Sequence, residues 1–467
     1  MSLALYCESN HASDYIIPQI GTAGVKALSI SQERNFGDYF MRKARGQGML
    51  GYDPVLNEYI NGVGKKLVMH APNVKFPFEF FLSSDPSLNA SAFLGGKVQV
   101  NAGLFHYTNT EDEFASVLAH EIAHVTQRHI ARFIEENSVN SKVGIAGMIG
   151  AIALAVLNPA VGMAALTSTV GLMQQGNINY TRDNEYEADR IGVSTLSNAG
   201  YNPMAMSDLF RKLYNSQSKI NSAYTMLIDH PLSEIRVAEA YNRAKLLPKK
   251  KSSTNPDFML AKARVDVRYM NFNLNDLKNR LLSTPNINSY YKNYALSLIF
   301  YKEKNFAKAR EYAEKIGLPG NDFVVDLLTD IDLESHNVQS AIARLKNIYG
   351  AKPYDSAIAV NLANAYIKSG QGESASSILK KYLDRNPTDV HANDLLIEAY
   401  KLRNDKCDAY QVSSHSAVLR GNYKLANMHL TEAMRYCRGN KNDVIRAKIA
   451  KIAELQAFDE KIDKKEF

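Results

Sequence analysis

Apolar residues recur at three-to-four spacing from about Ile30 to Met69, which predicts helix across that stretch. The period then changes. Phe76-Pro77-Phe78-Glu79-Phe80-Phe81-Leu82 alternates and is rich in aromatics. Ala92-Phe93-Leu94 and Lys97-Val98-Gln99-Val100 flank Gly95-Gly96, so a small β region with a glycine hairpin is expected. If Lys97–Val100 is an edge strand, it can pair with an extended peptide. Helical period resumes after Thr110, which has capping-box spacing to Glu113, and Phe114, Val117, Leu118, Ile122 and Val125 form an apolar stripe. Between Lys142 and Arg182 no residue is charged, and Val143–Leu157 is apolar and rich in Gly and Ala. Those fifteen residues fall short of the roughly twenty that span a bilayer as a helix. A buried helical hairpin is expected, lying over the chemistry-bearing helix, with a membrane-touching or lid role as the alternative.

Past Leu247 the composition shifts to that of a linker, Pro248 to Pro256, and the rest reads as nearly all helix. It also repeats. Ala309, Ala341, Ala375 and Ala409 recur at spacings of 32, 34 and 34 residues. Leu362, Ala363, Tyr366, Gly370, Ala375, Leu379 and Pro387 resemble one full tetratricopeptide unit, and Gly421, Tyr423, Ala426 and Ala433 repeat its second half. Such helix pairs stack into a superhelix with a concave surface that suits a protein or peptide partner. The expected fold is mainly α. An α+β domain with a small β-sheet, 1–247, is followed by a linker, 248–256, and an all-α tetratricopeptide-repeat superhelix, 257–467.

Composition narrows the function classes. Apolar content of 45% and charged content of 22% are those of an ordinary globular chain. A net charge of +7 over 467 residues is mild and scattered, with one short run at Lys249-Lys250-Lys251, so nucleic-acid binding is not expected. Three cysteines exclude a disulfide scaffold and a thiolate zinc site. Cys407 and Cys437 fall at the ends of helices that an antiparallel hairpin brings together, which suits either a bridge in an oxidising compartment or two packed thiols. Met1–Cys7 is short and apolar, either the stub of a trimmed secretory signal or a frayed end.

The chemistry lies in His120-Glu121-Ile122-Ala123-His124. Two histidines four apart on a helix share a face, as two ligands of one tetrahedral zinc require. Glu121 sits at the edge of that face and is the expected base. A third ligand is sought in Asn184-Glu185-Tyr186-Glu187-Ala188-Asp189. Glu185 and Asp189 are four apart, so one can ligate while the other accepts a ligating histidine's free ring N–H. Glu187, about 160° from Glu185 on a helix, is expected to be a solvated partner. His129, nine residues after His120, is about half a turn round the helix and is expected to face away.

H-E-x-x-H followed some sixty residues later by E-x-E-A-D resembles the signature of a family of gluzincin-type zinc peptidases. With the repeats, and with Ile20–Val25 and Val125–His129, the chain is similar to that family's periplasmic branch. The resemblance implies one zinc (Zn2+) per chain held by His120, His124 and Glu185, with Glu121 as catalytic base. It also implies a periplasmic protease with a chaperone-like role in outer-membrane β-barrel assembly, which degrades misassembled clients. The repeats would hold unfolded or stalled outer-membrane proteins and contact the β-barrel assembly machinery, with peripheral outer-membrane association. A client-binding scaffold without proteolysis is the rival reading. His230-Pro231, followed by Arg236, also matches, implying that His230 can reach the zinc's open position and hold the enzyme latent. Arg236, always charged, is expected to stabilise the oxyanion.

Overall fold

A computed structural model describes residues 28–138, 147–150, 175–216, 225–251 and 255–464. The expectations for the amino terminus, for most of the uncharged 143–173 stretch and for part of the linker fall outside the described residues. The Ile30–Met69 stretch divides into two helices. α1 (Ile30–Gly46) starts at a full capping box between Ser29 and Gln32. α2 (Pro54–Val68) starts at Asp53, whose carboxylate accepts from Leu56 N, with Pro54 at the first helical position.

β1 (Glu79–Ser83), β2 (Ala90–Phe93) and β3 (Lys97–Asn101) make one sheet in the order β1-β3-β2. β3 runs parallel to β1 and antiparallel to β2. The expectation that Lys97–Val100 could be an edge strand is therefore wrong: it is the central strand, and among the described residues β2 is an edge. The reason is burial. Register Glu79↔Lys97 stacks Phe80 and Leu82 beside Val98 and Val100, all at most 2% exposed, and joins Lys97 Nζ to Glu79 Oε2 at 2.7 Å. Gly95 and Gly96 turn the β2–β3 hairpin at φ of 72° and 79°. A Cβ on Gly96 would meet Pro77 O at 2.6 Å, so the turn needs glycine for space as well as for φ.

α3 (Ala102–Tyr107) and α4 (Glu111–Thr126) follow, then α5 (His129–Ser138), α6 (Gln175–Asn198), α7 (Met204–Ser216), the short α8 (Met226–Asp229) and α9 (Glu234–Lys245). Thr110 caps α4 as its spacing predicts, accepting from Glu113 N at 3.2 Å, while the Glu113 carboxylate reaches Asn109 N. Phe114, Val117, Leu118 and Ile122 are fully buried, so α4 runs through the core.

The remaining helices are α10 (Pro256–Arg268), α11 (Leu274–Ser283), α12 (Ser289–Lys302), α13 (Phe306–Glu314), α14 (Asp322–Glu334), α15 (Val338–Tyr349), α16 (Ser356–Lys368) and α17 (Gly372–Leu383). They continue with α18 (Val390–Leu402), α19 (Lys406–Leu419), α20 (Tyr423–Tyr436) and α21 (Lys441–Asp463). The four repeating alanines are buried, one each in α13, α15, α17 and α19. Cys407 and Cys437 form a disulfide with Cα atoms 5.0 Å apart. One apolar core runs from α2, the sheet and α4 into α10, α12 and α14. The carboxy-terminal helix returns to the start of the chain, where Arg42 Nε bonds Asp459 at 3.0 Å and Tyr39 bonds Asp463 at 2.6 Å. Among the described residues, no helix is long and apolar enough to cross a membrane.

Candidate metal centre

α4 and α6 lie side by side, and Gly192 allows it. A Cβ there would sit 3.2 Å from His120 N and 3.0 Å from Met206 Cε. This contact turns the H-E-x-x-H face of α4 toward the acidic face of α6. His120 Nε2 lies 3.0 Å from His124 Nε2 and 3.4 Å from Glu185 Oε2. His124 Nε2 is 3.3 Å from Glu185 Oε1. From the turn after α8, His230 Nδ1 approaches His120 Nε2 at 3.3 Å and Glu185 Oε1 at 3.0 Å. Among the described residues these four form a cluster whose ligand atoms all lie within 4.8 Å of one another.

The donor set fits a metal ion. Three ring nitrogens and a carboxylate point at one centre. A tetrahedral ion with N and O ligands at ~2.0–2.1 Å sets those ligands about 3.3 Å apart, close to the separations here. Electrostatics agree. Burial opposes charge on His120, yet the Asp189 and Glu185 carboxylates outweigh it and push its pKa up to about 10. Burial would raise the Glu185 carboxyl, but the His230 and His124 rings hold it well below the usual range. Binding a metal here displaces any proton that the ring nitrogens hold.

Glu121 stands beside the cluster without joining it. Its Oε2 accepts from Ala92 N, on edge strand β2, at 2.9 Å. Its Oε1 is buried, accepts no hydrogen bond and lies 3.4 Å from His230 Nε2. Asp189 comes within 3.0 Å of His120 Nδ1. The approach is off the N–H direction, but Asp189 is the carboxylate at that nitrogen.

Residues 54–244 match the model of Peptidase family M48, and residues 332–396 match that of the tetratricopeptide repeat. The chain is 38% identical to the beta-barrel assembly-enhancing protease of Escherichia coli O157:H7, over 89% of this chain and 86% of the relative. It is 36% identical to the putative beta-barrel assembly-enhancing protease of Vibrio cholerae, over 89% and 87%. A more distant relative is the mitochondrial metalloendopeptidase OMA1 of Schizosaccharomyces pombe, at 27% over 45% of this chain and 64% of its own. The chain belongs to peptidase family M48. It is a metallopeptidase.

Three side chains of this M48 peptidase sit otherwise than the sequence predicts. Arg236, 4% exposed, gives Nε and Nη2 to the two Asp189 oxygens at 2.7 and 2.9 Å. Its Nη1 bonds Pro231 O at 2.8 Å and lies 2.9 Å from Glu185 Oε2. With those donors engaged, Arg236 faces the acids of α6. Its charge also holds the Asp189 carboxyl below its usual range against the effect of burial. His129 does not face away. α4 ends at Thr126, Arg128 takes φ 55°, and this left-handed break sets His129 Nδ1 2.8 Å from His124 Nδ1. Arg128 is held there by Glu33 and by Leu28 O, residues far off in sequence. Glu187 is likewise not left to solvent: it accepts from His129 Nε2 at 3.2 Å and from Arg132 at 3.0 Å. Nothing in Gln127-Arg128-His129 announces that turn, because it carries neither Gly nor Asn.

His230 is tied to the strand side of the site. Asp229 accepts from Asn89 Nδ2 at 2.7 Å, and Met226 N bonds Leu88 O at 3.1 Å. Both partners lie in the loop entering β2. No sequence signal for this tether exists, since neither element is periodic there.

Proposed function

We propose that the chain is a zinc-dependent endopeptidase whose site rests latent, with His120, His124, Glu185 and His230 holding one zinc. The observation that carries this reading is the convergence of those four side chains on one point, with Glu121 alongside. When bound, zinc polarises the scissile carbonyl and makes water acidic enough to attack at neutral pH. Glu121 then takes the proton of the attacking water and delivers it to the leaving amine. Asp189 fixes the His120 ring by accepting from Nδ1. Arg236 is better read as a positioning residue for Asp189 and Glu185 than as an oxyanion donor. With zinc bound, His230 would take the place that the attacking water needs, and it would have to swing away before hydrolysis. An extended client can pair with edge strand β2, beside Glu121, whereas β3 has both edges taken.

By analogy with the named bacterial relatives, we infer a periplasmic enzyme, peripheral to the outer membrane. It would assist β-barrel protein assembly in a chaperone-like role and degrade misassembled clients. The Cys407–Cys437 bridge suits such an oxidising compartment. We read residues 1–247 as the catalytic part, 248–256 as a linker and 257–467 as the part that holds clients and meets the assembly machinery. A cavity of about 650 Å³ between the two, lined by Tyr52, Phe78, Tyr382, Arg385 and His391, suits a polypeptide segment.

The test is cleavage of an unfolded β-rich protein by three purified forms. Glu121→Gln should lose activity by roughly 10²–10⁴-fold, and His230→Ala should cleave faster than the parent. Activity retained by Glu121→Gln refutes the mechanism, and no gain in His230→Ala refutes latency. If neither the parent nor His230→Ala cleaves, the rival reading of a non-proteolytic client-binding scaffold stands.

A further inference from the structure

The ring of His124 has two nitrogens with different duties. Nε2 faces the cluster, 3.0 Å from His120 Nε2. To ligate, it must carry a lone pair, so the proton of the neutral ring belongs on Nδ1. That Nδ1 meets His129 Nδ1 at 2.8 Å, a distance at which the two nitrogens share one proton. His129 Nδ1 must therefore accept, and its own proton moves to Nε2. There it finds Glu187 Oε2 at 3.2 Å.

We propose that His129 and Glu187 are positioning residues that set the His124 tautomer, through the relay His124 Nδ1–H to His129 Nδ1 and His129 Nε2–H to Glu187. The proposal rests on the reading of His124 as a metal ligand. The carboxylate decides the direction of the whole chain. Without it, His129 is free to hold its proton on Nδ1 and donate toward His124, which drives the His124 proton onto Nε2, where a metal must bind. Glu187 is itself fixed by Arg132, whose other terminal nitrogen bonds Asn184 Oδ1 at 2.9 Å on the same α6 helix. The acids of α6 thus have three tasks: Glu185 faces the metal position, Asp189 serves His120 directly and Glu187 serves His124 through His129.

The experiment compares zinc-loaded full chains carrying His129→Phe, Glu187→Leu, Glu187→Gln and the His129→Phe/Glu187→Leu pair. Zinc affinity is read by competition with a chelator, and the visible spectrum of the cobalt-substituted protein reads the ligand set. His129→Phe should weaken zinc roughly 10–100-fold and shift the cobalt bands. Glu187→Leu should act in the same direction, and the double variant should be no weaker than His129→Phe alone. Glu187→Gln should stay near the parent, because its amide oxygen still accepts from Nε2–H. The relay is overturned if all variants bind alike, if the two single losses add, or if Glu187→Gln loses as much affinity as Glu187→Leu. A parent chain that takes up no zinc would instead refute the metal-site reading beneath it.

Discussion

Two buried polar clusters in this molecule use similar residues and differ in how donors and acceptors balance. Around Arg264, which is 1% exposed, guanidinium donors meet carboxylates and a hydroxyl. Its Nε bonds Asp53 at 2.6 Å, and its Nη1 bonds Asp326 at 2.7 Å and Tyr294 Oη at 2.9 Å. Asn361 supplies Asp326 with a further donor at 2.7 Å. Around His120 three ring nitrogens and the Glu185 carboxylate instead face one centre, and Arg236 gives its Nε and Nη2 to Asp189 behind them. A closed set of pairs is complete as it stands and joins α2 to α10 and α14. A set of ligand atoms turned on one centre calls for a cation, as protons or as a metal. That balance separates a structural clamp from a binding site without any reference to sequence motifs.

The largest effect that would break this contrast lies in the clamp. Asp53→Ala leaves Arg264 buried without one of its carboxylates and removes the α2 cap. It should cost about 3–5 kcal/mol of stability while zinc affinity is unchanged. Chemical unfolding with a parallel metal titration measures both, and a loss in zinc binding would show that the two clusters are not independent.

Asp189→Asn should do the reverse. Removing the acceptor at His120 Nδ1 is expected to weaken zinc by roughly 10–100-fold, about 1.4–2.8 kcal/mol. Chelator competition reads it directly. Equal affinity in the parent and the variant would strip Asp189 of its role.

The smallest effect is in the pH response of the clamp. Burial opposes ionisation of Asp326, but Arg264 and Arg268 outweigh it and hold its carboxyl below the ordinary value of 3.8. A depressed carboxyl contributes stability above its unfolded pKa and loses it as pH falls through the folded one. The melting temperature should therefore stay level in mildly acidic buffer and drop below about pH 4. In Asp326→Asn that acid drop should be shallower. An equal drop in both proteins would assign it to other carboxylates.

The sequence is most informative where short-range geometry governs. The cap at Thr110, the stripe through Ile122 and the four-residue spacing of His120 and His124 are properties of one helix, and the structure holds each of them. The alanine spacing in the repeats is legible for the same reason, since each unit packs on its neighbours. Legibility fails at turns and pairings. Helix arithmetic misplaces His129 because it extends α4 beyond Thr126, where a left-handed Arg128 held by Glu33 breaks the helix. The edge of the sheet is not legible because β1 pairs with β3 across the hairpin. Arg236 invites a substrate-facing task because charge is visible in a sequence and bonding partners are not.

By itself, then, the sequence determined that two histidines and a glutamate share one helical face, that an acidic helix follows, and that paired helices repeat behind them. Hydrogen bonds four residues apart set those relations, whatever the rest of the chain does. Tertiary structure alone decided that His230 closes the cluster, that β2 borders Glu121, that Arg236 holds acids, and that His129 turns back to His124. Each of these depends on contacts between elements that are remote or separately folded, as Asp229 with Asn89 and Arg128 with Glu33. No local period encodes such a contact, because its energy exists only once both partners are in position.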